Sequence, residues 1–248
     1  MPDFPTAFSA VADSGASAPE ITMQSPQAGR GPNEEDEATD ARADEAANAS
    51  DGSAPARKRP KPGERRVQIL QTLAAMLEEP GADRITTAAL AAKLSVSEAA
   101  LYRHFASKAQ MFEGLIEFIE QSIFTLINQI TERDADPALQ ARRIVFMLLQ
   151  FGEKNPGMAR VMVGDALVFE NERLSARMNQ FFDKIESQLR QSLRAAAERA
   201  GSQTPTVDAN GRASALTALA VGRLQRFTRS GFKRSPTEQI ELALGLLT

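Results

Sequence analysis

The chain has no cysteine and a single histidine, His104. Without cysteine there is no disulfide framework, no thiolate nucleophile and no Cys-ligated zinc. One histidine cannot form a His-rich metal site on its own. Apolar runs are broken by charge well short of the ~18 residues that a membrane span needs. The N-terminus lacks the basic start and apolar stretch of a signal peptide. Nucleophile–base pairs are scarce, and the acids fall on solvated faces or at helix starts. No catalysis, cofactor or metal is expected, and the location expected is cytoplasmic.

Charge is present but unevenly placed. The whole chain carries −3, yet residues 1–56 hold eleven acids and two bases, Arg30 and Arg42, for a net −9. That stretch is rich in Ala, Ser, Gly and Pro and has almost no apolar periodicity, so it is expected to be a disordered acidic extension. The rest of the chain is therefore +6, and from Arg57 to Lys108 ten Lys/Arg face five Asp/Glu. A basic segment of this kind points toward nucleic acid, although the overall pI near 5.5 does not.

Order is expected from about Glu64, after a basic linker at 57–63. Val67, Leu70, Leu73, Ala74 and Leu77 recur at helical spacing and stop before Glu79-Pro80-Gly81. Thr86-Thr87 open a short helix over 88–93. The turn Leu94-Ser95-Val96 then leads to Ser97, a good N-cap for a second short helix over 98–104. Ser107 to Gln110 has the capping-box spacing, with Gln110 placed to reach back to the Ser107 amide. A long helix follows to about Thr131. Asp136-Pro137 starts another, which Asn155-Pro156-Gly157 ends. Further helices are expected over 171–200, 211–230 and 236–247, with a polar loop at 202–210 and a capping signature at Ser235-Pro236-Thr237-Glu238. With no credible strand, the class is all-α.

Two short helices joined by a tight turn have the size of a DNA-reading helix-turn-helix. In the second, Ser97, Ala99 and Ala100 are small enough for close approach to a groove. Leu101 and Phe105, four apart, face inward, while Tyr102, Arg103, His104 and Lys108 are left for phosphates. Thr86 and Thr87 sit at a helix N-terminus, where hydroxyls and amides meet phosphate. Short helices with basic residues also occur in proteins that never meet DNA. A lone His104 is commonly structural and Tyr102 commonly packed, so pattern alone leaves both readings open.

The wording of the stretch narrows them. Ile85-Thr86-Thr87-Ala88-Ala89-Leu90-Ala91, followed by Val96 to Lys108 with its Tyr102-Arg103-His104-Phe105-Ala106-Ser107-Lys108 run, resembles the TetR family signature over about residues 64–119. The resemblance implies a three-helix DNA-binding domain at 64–110 and a helical dimerisation and partner-binding domain at 111–248. It also implies DNA-contact roles for Thr86, Thr87, Ser95, Ser97, Tyr102, His104 and Lys108, with Ala99 and Arg103 at base edges. Further runs, such as Phe151-Gly152-Glu153-Lys154-Asn155-Pro156-Gly157 and Arg226 to Lys233, resemble the nucleoid-occlusion branch of that family. That closer resemblance covers nearly all of residues 64–248 and leaves 1–56 outside.

Members of this branch bind palindromic chromosomal sites and engage the C-terminal tail of FtsZ, the tubulin-like division protein. The resemblance implies a nucleoid-associated homodimer, with assembly beyond the dimer left open. The partner groove it implies, between the long fourth helix and the fifth, falls on Phe118, Met147, Phe151, Lys154 and Asn155. The same apolar residues at helical spacing also read as core. Phe124-Thr125-Leu126 has no base where the branch would carry an arginine. The rival reading is a ligand-responsive repressor, for which Arg142, Asp165 and Glu170 are the polar groups able to reach inward.

Overall fold

The computed structural model describes residues 63–79 and 84–248. The acidic extension, most of the basic linker and the Pro80-Gly81 breaker lie outside the described residues, among which every regular element is helical.

The head is built from α1 (Glu64–Glu78), α2 (Thr87–Lys93) and α3 (Glu98–Tyr102). α1 buries Ile69, Leu70, Leu73, Ala74 and Leu77, whereas Val67 lies on the solvent side of the stripe predicted for it. Glu79 caps it in extended backbone, the conformation a following proline demands. The Thr86 hydroxyl caps α2 by accepting from the Ala89 amide at 3.1 Å, and Ser97 does the same for α3 from Ala100 at 3.3 Å. Between them Ser95 takes a left-handed backbone, φ 54°. The Ser95 and Val96 amides donate to the Ala92 and Ala91 carbonyls, closing α2 as a Schellman turn. α3 ends at Tyr102, short of the predicted His104, because Arg103 and His104 turn so that Phe105 can enter the core.

α4 (Lys108–Arg133) joins head to body without a break, so the expected domain boundary at residue 110 falls in its first turn. Ser107 accepts from the Gln110 amide at 3.2 Å, as predicted. The Gln110 side chain reaches one residue further than expected and accepts from Ala106 N at 2.8 Å, because Ser107 is itself the extended cap. The body continues with α5 (Pro137–Lys154), α6 (Pro156–Met162), a 3-10 turn at Asp165–Leu167, α7 (Glu172–Arg199), α8 (Pro205–Arg229) and α9 (Ile240–Leu247). α7 and α8 form the most extensive helix pair, with α5 packed on both. Phe181 meets Phe124 and Phe182 edge-on, with ring centroids 5.9 and 5.1 Å away.

Asn155-Pro156-Gly157 ends α5 as predicted: Asn155 closes it through 2.8 Å and 3.0 Å bonds to the Phe151 carbonyl, and α6 begins at once. Two predicted boundaries move. α8 begins at Pro205, inside the stretch predicted as loop. Pro205 occupies the first helical position, and Asp208 accepts from the Ser202 and Thr204 hydroxyls at 2.5 and 3.2 Å. The Ser202 bond, ahead of those from Thr204 and the Arg212 charge, holds the Asp208 carboxyl below its usual pKa against a smaller opposing effect of burial. α9 begins at Ile240 rather than 236, since Gln239 turns left-handed at φ 52° and the hydroxyl of Ser235, the predicted cap, lies 3.0 Å from that of Thr237, which donates to Glu153.

α6 sets the head against the body. It lies along α1, and a Cβ built on Gly157 would run into the Ala74 carbonyl oxygen. Only glycine permits that approach.

Candidate nucleic-acid interface

The third head helix, α3, is presented as a reading element would be. Leu101 and Phe105 are each 1% exposed and anchor it. Opposite them Ser97, Ala99, Arg103 and His104 are exposed, and Tyr102 is 45% exposed rather than packed. Thr86 and Ser95 are exposed beside the turn. The Thr86 hydroxyl retains its capping bond.

Two expected contacts are engaged elsewhere. The Thr87 hydroxyl donates to Glu98 at 2.5 Å, pinning the start of α2 to the start of α3. Lys108 is half-buried, and its ammonium pairs with Glu170, which the 3-10 turn brings from the body. One residue of this face had no sequence signal. Arg66 donates to the His104 carbonyl at 3.0 Å and lies 4.1 Å over the Phe105 ring, so α1 clasps the end of the reading helix.

The partner residues expected on α4 and α5 are brought together less openly. Met147 and Phe151 are 5% and 6% exposed, Asn155 is buried and bonded to Phe151, and Phe118 is half-buried. Of these five residues, Lys154 alone is exposed. These apolar side chains are mostly core, because α5 is wrapped by α4, α7 and α8. A cavity in this cleft lies nearer the start of α5. Its volume is about 620 Å³, with Leu126, Ile130, Leu139, Phe146 and Met147 on its walls and Arg133, Arg142 and Arg143 among its polar lining. Leu126 stands at the place without the expected base, and the three arginines share the cavity lining with Asp134 and Glu241. Arg142 bonds the Thr248 hydroxyl and Arg143 pairs with Asp134. Of the other two inward candidates, Asp165 accepts from Thr228 at 2.9 Å and Glu170 holds Lys108, so neither lines this cavity. Among the described residues no group of acids, histidine and cysteine could hold a metal ion, and no helix is long and apolar enough to cross a membrane.

Comparison with known proteins resolves what this head and body belong to. Residues 69–115 match the model for bacterial regulatory proteins of the TetR family, and residues 136–248 match a SlmA-like, tetracycline-repressor-like C-terminal domain. The nucleoid occlusion factor SlmA of Vibrio vulnificus is 52% identical over 189 residues, which cover 76% of this chain and 96% of that protein. The chain belongs to the SlmA branch of the TetR family. SlmA proteins of Salmonella paratyphi A and Photobacterium profundum are each 53% identical over 178 residues, 71% of this chain and 89% or 90% of theirs. Against the Vibrio SlmA, about a quarter of the present chain has no counterpart. Solved structures carry the fold further from SlmA. The TetR family regulator PfmR of Thermus thermophilus, 21% identical, superposes with a TM-score of 0.59 over 73% of this chain and 94% of its own. FadR of Bacillus subtilis, solved with stearoyl-CoA, gives 0.59 at 15% identity over 73% and 96%.

Proposed function

We propose that this chain is a nucleoid-occlusion factor: a homodimer that binds palindromic DNA and, from the nucleoid, binds FtsZ and opposes assembly of the division ring. The observation that carries the proposal is the match along 96% of the Vibrio SlmA, which takes in the body, where partner sites lie, as well as the head.

On DNA, Ala99 and Arg103 face base edges, and Ser97, Tyr102 and His104 meet phosphates at the groove wall. Thr86, Thr87 and Ser95 serve the flanking backbone, and Lys108 joins them when phosphate replaces Glu170. The two-fold axis sets the reading helices ~34 Å apart, one turn of the duplex. Along α8 the residues Gly211, Ala215, Ala218 and Gly222 recur at helical spacing; the first three are exposed and the fourth half-buried. Small side chains there let a second copy of α7 and α8 close into a four-helix seam.

The FtsZ tail lies along the α4–α5 cleft over Phe118 and Met147. Lys154 stands at one end and Arg133, Arg142 and Arg143 at the other, while Phe151 and Asn155 form the support beneath. From Arg142 to Lys154 the helix advances ~18 Å, a length that roughly six extended residues span. Apolar walls with separated cations suit a short segment carrying both apolar and acidic groups.

A second reading, the ligand-responsive repressor, draws on the 620 Å³ cavity, a volume within the range of small-molecule sites. Selection of binding sites from random duplex DNA tests the DNA half of the proposal. A palindrome with half-sites about one turn apart is expected. Recovery of no common sequence would remove it, and a small molecule that releases the palindrome at stoichiometric occupancy would favour the repressor.

A further inference from the structure

The start of the folded chain and the reading helix are neighbours. α1 begins at Glu64, and two residues later Arg66 is bonded to the His104 carbonyl and stacked on Phe105. Arg66, Arg103 and His104 are all exposed, so the point where the N-terminal segment joins the fold lies at the edge of the cationic reading face. In sequence that segment carries Arg57, Lys58, Arg59 and Lys61 immediately before the fold begins. Behind them come Glu34, Glu35, Asp36, Glu37, Asp40, Asp44 and Glu45, with only Arg42 in opposition.

From these positions we infer that residues 34–45 bind the chain's own DNA-reading face and compete with DNA for it. This rests on the DNA-binding role proposed above and adds a regulator to the same surface.

The stretch between Glu45 and Gly63 can reach at most ~60 Å, several times the ~10–12 Å breadth of a helix. The acids are therefore within range of Arg103 and His104. Tethering sets their effective concentration on the order of millimolar. Carboxylates on arginine make charge-assisted hydrogen bonds of the kind phosphate makes. Over Glu34–Glu37 an extended chain carries one acid per ~3.3 Å of its length, on alternating faces, a charge density close to the ~3.4 Å per charge of one DNA strand. The Vibrio SlmA is matched along 96% of its length by only 76% of this chain, so the DNA-binding body has a relative without a counterpart for a quarter of these residues. A regulator added outside the shared body is consistent with that difference. An intramolecular contact of ~0.1 mM affinity at millimolar effective concentration would weaken DNA binding about tenfold. Because the acids stand in for phosphates, DNA binding by the native chain should release fewer counterions than binding by a chain with a bare face.

The test compares the full chain with a full-length variant carrying Glu34→Gln, Glu35→Gln, Asp36→Asn, Glu37→Gln, Asp40→Asn, Asp44→Asn and Glu45→Gln. Binding to the selected duplex is followed by fluorescence anisotropy across salt. The variant is expected to bind about tenfold tighter near 0.1 M salt, with the steeper salt dependence, and the two should converge near 0.5 M. A peptide of residues 30–50, added in trans, should displace duplex from the variant. This separates occupation of the face from simple repulsion of DNA by a nearby acidic chain. Equal affinities at low salt, or a peptide that displaces nothing, would overturn the inference while leaving DNA binding intact. If neither chain binds duplex, the DNA-binding role itself fails, and this inference with it.

Discussion

Lys108 and Glu170 join the start of α4 to the turn before α7, and their coupling can be set against an internal control. Their side chains retain 24% and 10% of their exposure, whereas Lys93 and Glu79, also an ion pair, retain 55% and 56%. An exposed pair is screened by water and is worth ~0.2–1 kcal/mol. The enclosed pair is less screened, and removing one partner strands the other charge in a poorly hydrated place. In a double-mutant cycle of Lys108→Met and Glu170→Gln, each single substitution is therefore expected to cost ~1–3 kcal/mol, with a coupling energy of ~1–2 kcal/mol. The cycle of Lys93→Met and Glu79→Gln should give a coupling below ~0.5 kcal/mol. Urea unfolding at one fixed protein concentration measures both, with the slope m checked for constancy. Coupling at Lys108–Glu170 no larger than at Lys93–Glu79 would refute the view that this pair locks head to body.

Two further outcomes follow from packing. Gly157→Ala should cost ~1–3 kcal/mol by thermal or urea unfolding, since the added methyl meets backbone rather than a movable side chain; an unchanged midpoint would show that α6 and α1 can part freely. Ala218→Glu places a charge on the small-residue face of α8. It should convert the proposed dimer to monomer in analytical ultracentrifugation and abolish preference for the palindrome over a half-site; a variant that remains dimeric would move the seam elsewhere.

Local chemistry explains which parts of this fold were legible in the sequence. Thr86, Ser97, Ser107, Asp136 and Asn171 all cap helices through their side chains, and each such bond is completed within three residues of its cap. Leu101 and Phe105 could be read as anchors for the same reason, because their spacing alone puts them on one side. What escaped depends on distant partners. Nothing near Arg66 announces that His104 will accept its hydrogen bond, and nothing near Lys108 announces Glu170, 62 positions away. The start of α8 was hidden because Ser202, Thr204 and Asp208 satisfy one another, so polar residues that read as loop build a helix start. On α5 the apolar period shows that Met147 and Phe151 lie inward, but not that α7 and α8 would cover that side. The cavity on this side runs from Met147 toward Arg142 at the start of α5.

The central claim is that one molecule holds DNA and FtsZ together. Its most direct test is the fluorescence anisotropy of a labelled FtsZ C-terminal tail peptide titrated with this protein, with and without the selected duplex. Saturable binding that the duplex strengthens is predicted, and Lys154→Glu or Arg143→Glu should weaken it while DNA affinity stays unchanged. A folded, DNA-bound protein that leaves the peptide free at every concentration would contradict the account.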